Sequence, residues 1–145
     1  MFETLRKQGS YRIDYLNHAA RGSPGAFAFY VRGELAQDAP YSVSAKHHLY
    51  AGLDVIQKLL NNNHLVAIYV DINPAHNLYR PAYVQMKRDL RAGYFRRVFT
   101  FNSADLLDDR AAVKDLQDLH RELAGFDVLH FQEGNLHAIP LLTLD

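Results

Sequence analysis

Six residues of this chain have the types and the placing to do chemistry on a charged group. Arg32 and Glu34 follow the apolar run "AFAFYV", Asp71 follows "HLVAIYV", and Asp105 and Asp108 follow "FRRVFTF". Arg80 stands directly before Pro81 at the far end of the loop that Asp71 opens. The two arginines fit an anion site, because a guanidinium presents several donors to one oxyanion. The simpler expectation is that each pairs with Asp71 or Glu34 and closes the loop cluster, since no further cation reinforces them. The four carboxylates Glu34, Asp71, Asp105 and Asp108 carry a second reading. Brought into one cleft, they would raise one another's pKa unless a cation intervened. Oxygen-only ligands suit Mg2+ or Mn2+. Arg32 and Arg80 weaken that reading, because they neutralise two carboxylates directly. The expectation is therefore no cofactor, no metal and no catalytic residue.

Other reactive types have plainer explanations. The run "KRDLRAGYFRR" gathers five cations around Tyr94 and Phe95 in the manner of a nucleic-acid patch. It reads better as a solvated helix end, where the macrodipole favours cations. His47 and His48 are adjacent, and neighbours on a helix diverge by about 100°, so they do not share a metal easily. "HFQE" (130–133) has ligand spacing only on a helix, and it sits in a strand-like run. Ser42, Ser44 and Ser103 suit helix caps better than nucleophiles. No Walker loop or dinucleotide-type glycine pattern occurs.

The elements that position these residues follow from hydrophobic period. Apolar runs at 26–31, 64–70, 95–101 and 126–131 have strand length and read as strands covered on both faces. Between them lie helical patterns: Leu49, Leu53, Ile56 and Leu60; then Tyr83, Met86 and Leu90, with Pro81 in the first turn; then Val113, Leu116, Leu119 and Leu123. Gly93 and Gly125 supply C-terminal caps. The order β-α-β-α-β-α-β predicts one three-layer α/β domain over 26–145. Its sheet is expected to be mostly parallel, with four to five strands and ligands at the strands' carboxyl ends. The expected core includes Phe27, Phe29, Val66, Ile68, Val98, Phe101 and Val128. "AIPLL" adds a short edge strand to the expectation. Residues 1–25 form an N-terminal extension of mixed period: Tyr11, Ile13 and Tyr15 alternate like a strand, while Ile13, Leu16 and Ala20 suit a helix.

Three segments together resemble the N-terminal catalytic domain of serine recombinases, the resolvase/invertase family. In "YVDINPAHNLYRPAYVQMKRDLRAG", Tyr69, Asp71, Arg80, Pro81, Asp89, Leu90 and Gly93 match the family's Tyr-x-Asp strand end, its Arg-Pro and its closing helix. "FYVRGELAQ" is similar to its first strand and Tyr-x-Arg-x-Ser loop, through Tyr30 and Arg32, and the segment from "VFTF" to Glu133-Gly134 follows its later elements. The resemblance implies a fold and a site for DNA phosphodiester chemistry, and the sequence departs from it at that site. Glu34 stands where the family has its nucleophilic serine, and Asp105 and Asp108 stand at two arginine positions. Removing one such charge-stabilising donor costs about 10²–10³ in rate, and two Arg-to-Asp changes also reverse the local field. The family continues into a long dimerisation helix and a DNA-binding domain, and "GNLHAIPLLTLD" matches neither.

Composition narrows the class of function. Sixteen Lys and Arg balance sixteen Asp and Glu, which gives no global electrostatic case for DNA or membrane binding. There is no cysteine, hence no thiolate metal site, disulfide or thiol nucleophile. No apolar stretch approaches a membrane span, and the expected location is cytoplasmic. The leading expectation is a resolvase-like domain without strand exchange, acting as a binding, scaffolding or regulatory module. The expected partner is a second copy, giving a homodimer, or another protein, with DNA bound weakly if at all. Two alternatives are a metal-dependent phosphoester enzyme using the carboxylate cluster, and partner-assisted recombination or DNA binding.

Overall fold

The structure, a computed structural model, describes residues 9–35, 42–73 and 80–144. Six strands and three helices alternate along it: β1 (Tyr11–Tyr15), β2 (Phe27–Gly33), α1 (Val43–Leu59), β3 (Leu65–Ile72), α2 (Pro81–Arg91), β4 (Arg97–Thr100), α3 (Arg110–Glu122), β5 (Asp127–Gln132) and β6 (Asn135–Ala138). The sheet order is β1-β3-β2-β4-β5-β6. The four expected strands are present and mutually parallel, in the order β3-β2-β4-β5.

The sheet as a whole is mixed and six-stranded, not mostly parallel with four to five strands. Both edges run antiparallel. On one side β1 pairs with β3, Ile13 opposite Tyr69. So in residues 9–25 the strand alternation prevails over the helical period, apart from a single 3-10 turn at His18–Ala20. On the other side β6 folds back on β5, because Glu133 and Gly134 both take positive φ (53° and 79°) and make a two-residue hairpin turn. The extra edge strand is therefore "NLHA"; "AIPLL" instead leads into a 3-10 turn at Leu141–Thr143. No helix among the described residues is long and apolar enough to cross a membrane.

Strand alternation divides the core into two layers. Ala28, Tyr30, Ala67, Tyr69, Val98 and Val128 pack with α2 and α3, while Phe27, Phe29, Val31, Ile68, Val70 and Phe99 pack with α1; Val66 joins the first layer at the register shift beside Phe27. Of the expected core only Phe101 is merely half-buried, because β4 ends at Thr100 and releases the chain into the loop. Capping sets the helix starts. Ser42 accepts from the Ala45 amide, Asp109 accepts from the Ala112 amide, and Pro81 fills the first position of α2.

Gly52 shows how tight the α1 layer is. A Cβ there would overlap the Phe29 ring, which is fully buried and packed on Phe99 at 5.3 Å. Helix propensity alone favours alanine over glycine by about 1 kcal/mol. Overpacking costs about 1–3 kcal/mol. We expect the steric term to win, so that Gly52→Ala lowers unfolding free energy by up to about 2 kcal/mol in urea denaturation; a stabilised variant would refute this packing.

Candidate functional site

The carboxyl ends of β2, β3 and β4 bring all six sequence candidates to one end of the sheet. Asp71 is fully buried at the end of β3. It accepts from the Tyr30 hydroxyl at 2.7 Å and from the Ala82 and Tyr83 amides at 2.9 Å each. Those amides are otherwise unpaired donors of the first turn of α2, so Asp71 fastens that helix to the sheet. Burial pushes the Asp71 carboxyl above its ordinary pKa, against the stabilising effect of these three donors. Burial likewise raises the Tyr30 hydroxyl far above its usual range, so it stays protonated and donates.

Arg80, 5% exposed, lies just outside α2 and turns back over the sheet end. Its Nε donates to the Tyr30 oxygen at 3.1 Å and its Nη2 to the Asp105 carbonyl at 3.0 Å. Its guanidinium stacks over Tyr83 at 4.1 Å. Burial works against its charge, yet Tyr30, Tyr83 and Asp108 together hold its pKa above the ordinary arginine value. Arg32, 7% exposed, donates from Nε to Asn73 Oδ1 at 2.9 Å.

Asp108 joins the two arginines. Its carboxylate lies 3.5 Å from Arg32 and 3.9 Å from Arg80, and its side chain is only 10% exposed. Glu34 approaches Arg32 at 4.0 Å and remains 55% exposed. The arginines are thus engaged within the loop cluster through Asp108 more than through Asp71 or Glu34, the partners expected from the sequence. Asp105 is taken up elsewhere. It accepts from the Arg32 amide at 3.3 Å and lies 2.8 Å from His48 Nδ1. Burial raises the Asp105 pKa, opposed by His48. The hydrogen bond to Asp105 in turn raises His48 above the ordinary histidine value, against burial.

Sequence reasoning had set His48 aside with His47. Its partner lies on a different loop, so only the fold reveals the pair. The signal available was its place on α1, one turn after Ser44 and facing the strand ends. Gly33 makes the approach of α1 possible: a Cβ there would lie 2.5 Å from both Ala45 Cβ and Ser42 Oγ. Ser42 Oγ donates to the Glu34 carbonyl at 2.8 Å, and Ser44 accepts from the Glu34 amide at 3.1 Å, so both serines fix this turn. Ser103 lies within a 3-10 turn and does not cap it; Asn102 does.

The remaining candidates also find places. Lys87 pairs with Asp115 at 2.7 Å and Arg91 with Glu122 at 2.8 Å, so part of the basic run is an ion-paired seam between α2 and α3. His130 and Gln132 lie on β5 and Glu133 in the turn. Among the described residues no group of three or more His, Asp or Glu is arranged to hold a metal ion. Comparisons with protein-family models, with curated proteins and with solved structures found no match for this chain.

Asp108 is the carboxylate that both buried guanidiniums share. Neutralising one member of a buried charge network leaves the others uncompensated. Asp108→Asn is expected to cost about 3 kcal/mol of stability with an unchanged denaturant slope. A cost within about 0.5 kcal/mol of zero, the range of ordinary surface substitutions, would show that the pairing carries no weight.

Proposed function

We propose that this chain is a resolvase-like domain that does not exchange DNA strands and serves as a binding or scaffolding module. One observation carries the reading: Arg32 and Arg80, the two cations left from the matched motifs, are buried and turned onto Asp108. A phosphodiester, already an anion, would meet the Glu34 and Asp108 carboxylates at this sheet end, where the one donor left open among the described residues is the buried Arg32 Nη2. At an effective dielectric of about 20, like unit charges 4 Å apart repel by about 4 kcal/mol. That opposes the charge growth that phosphoryl transfer requires an enzyme to stabilise. Glu34 adds a chemical obstacle, since a carboxylate attacking phosphorus would form a labile acyl phosphate instead of a phosphoserine ester.

The carboxylates favour this reading over the metal-dependent phosphoester alternative. Asp71 is satisfied by three protein donors, Asp105 by His48 and an amide, and Asp108 by two arginines. A hard divalent cation would have to displace these contacts. The module's partner on this reading is a protein, a second copy of this chain included.

The test is incubation with supercoiled and linear duplex DNA followed by denaturing electrophoresis. Wild type and Glu34→Ser are both expected to give no relaxation, no cleavage and no covalent 5′ adduct, because the reversed charges at Asp105 and Asp108 persist in the variant. A covalent adduct from either protein would overturn the reading.

A further inference from the structure

The ion network joins Arg32, Arg80 and Asp108, and beside it stands a separate pair, His48 and Asp105. His48 lines a cleft of about 440 Å³ together with Arg32, Glu34, Ser44, Asp105 and Asp108. Its Nδ1 lies 2.8 Å from the buried Asp105 carboxylate, which the Arg32 amide also holds. An acceptor on Nδ1 keeps the proton of a neutral imidazole there and makes Nε2 the basic nitrogen. The Phe101 ring, 5.8 Å away and tilted by 41°, limits rotation of the imidazole.

The same cleft contains an incomplete donor. Arg32 Nη2 is buried and has no hydrogen-bond partner among the described residues. The Glu34 carboxylate comes only to 4.0 Å, beyond hydrogen-bond reach. A buried donor left in this state favours any ligand that brings an acceptor to it. Three carboxylates, Glu34, Asp105 and Asp108, outnumber the single arginine around the cleft, which disfavours anionic ligands and admits neutral or cationic ones.

We infer that this cleft is an acid–base site for hydrolysis of small neutral or cationic carboxylic esters, with His48 the catalytic base, Asp105 its positioning residue and Arg32 Nη2 the donor to the carbonyl oxygen. His48 Nε2 takes a proton from water as the water oxygen bonds to the ester carbon. The carbonyl oxygen becomes an oxyanion beside Arg32 Nη2, in the place that Glu34 approaches but does not fill. The intermediate then expels the alkoxide, the C–O bond breaks, and His48 returns the proton to that oxygen. Ester and water give acid and alcohol, with no other reactant. This chemistry is separate from strand exchange: the DNA assay reads phosphodiester cleavage and the ester assay reads acyl transfer, so either reading can fail alone.

The probe is p-nitrophenyl acetate with the full chain between pH 6 and 9. We expect saturable hydrolysis that rises with pH as His48 loses its proton and then levels. The groups facing the imidazole are Asp105 and the Arg32 backbone, which raise its pKa, the neighbouring His47 ring at 5.8 Å, and the uncharged Phe101. His48→Gln should lower the rate at least tenfold. Asp105→Asn should move the rising limb to lower pH, which a purely structural role would not do. His47→Gln is the internal control: this exposed imidazole lies outside the cleft and should leave the rate unchanged. A rate linear in substrate and shared equally by His47 and His48 would reduce the activity to ordinary imidazole background and overturn the proposal, as would no rate above buffer. Nitrogen NMR of the wild type tests it without any variant. The neutral His48 ring should carry its proton on Nδ1, and an Nε2–H tautomer would contradict the proposal.

Discussion

A carboxylate with no access to water must find its donors inside the protein, and Asp71 meets that constraint with three. Tyr30 reaches it from the neighbouring strand, and the Ala82 and Tyr83 amides reach it from the start of α2. One side chain thereby fixes the end of β3, the end of β2 and the first turn of a helix relative to one another. The position of Arg80 follows. With Pro81 and α2 anchored, its guanidinium is laid over Tyr83 and back onto Tyr30. Two buried arginines then require compensation at the same end of the sheet, and Asp108 supplies it from the loop before α3. The site is a chain of consequences that begins with one desolvated acid.

The same device operates a second time on the same face. Asp89, buried on α2, accepts from the Tyr15 and Tyr69 hydroxyls and from Gln85. Tyr15 comes from β1 and Tyr69 from β3, so this carboxylate ties the antiparallel edge strand to the sheet and to α2. Both tyrosine hydroxyls are held protonated, Tyr15 pushed up to about 12 and Tyr69 higher, chiefly by burial and then by Asp89 itself. Asp71 and Asp89 are both buried acids that join strands of the sheet to α2. Here each has a sufficient structural reason for its place.

Much of the architecture was legible in the sequence because it rests on local pattern. Four apolar runs became four parallel strands, and Ser42 and Pro81 marked helix starts. The two edge strands were less legible. In β1 the strand and helix periods overlap at Ile13, and only pairing with β3 decides between them. In β6 the decision lies in a turn at Glu133-Gly134, where a non-glycine residue takes positive φ. The site was half legible. Position after apolar runs picked out Arg32, Glu34, Asp71, Asp105 and Asp108, and Arg80 stood out by its place before Pro81, but which acid meets which arginine depends on strand order. The pairing of His48 with Asp105, residues 57 apart in the chain, has no local sequence signature at all.

The central claim is that the Nε–H groups of Arg32 and Arg80 are committed inside the protein. Their Nε protons report on it directly, since each donates to a named acceptor, Asn73 Oδ1 and the Tyr30 hydroxyl oxygen. Nitrogen-resolved NMR of the arginine Nε–H groups, with hydrogen exchange and a titration of duplex DNA, measures both protection and recruitment. The account predicts two slowly exchanging Nε–H signals whose positions do not move as DNA is added. Rapid exchange of either, or a shift of both that saturates with DNA, would contradict it.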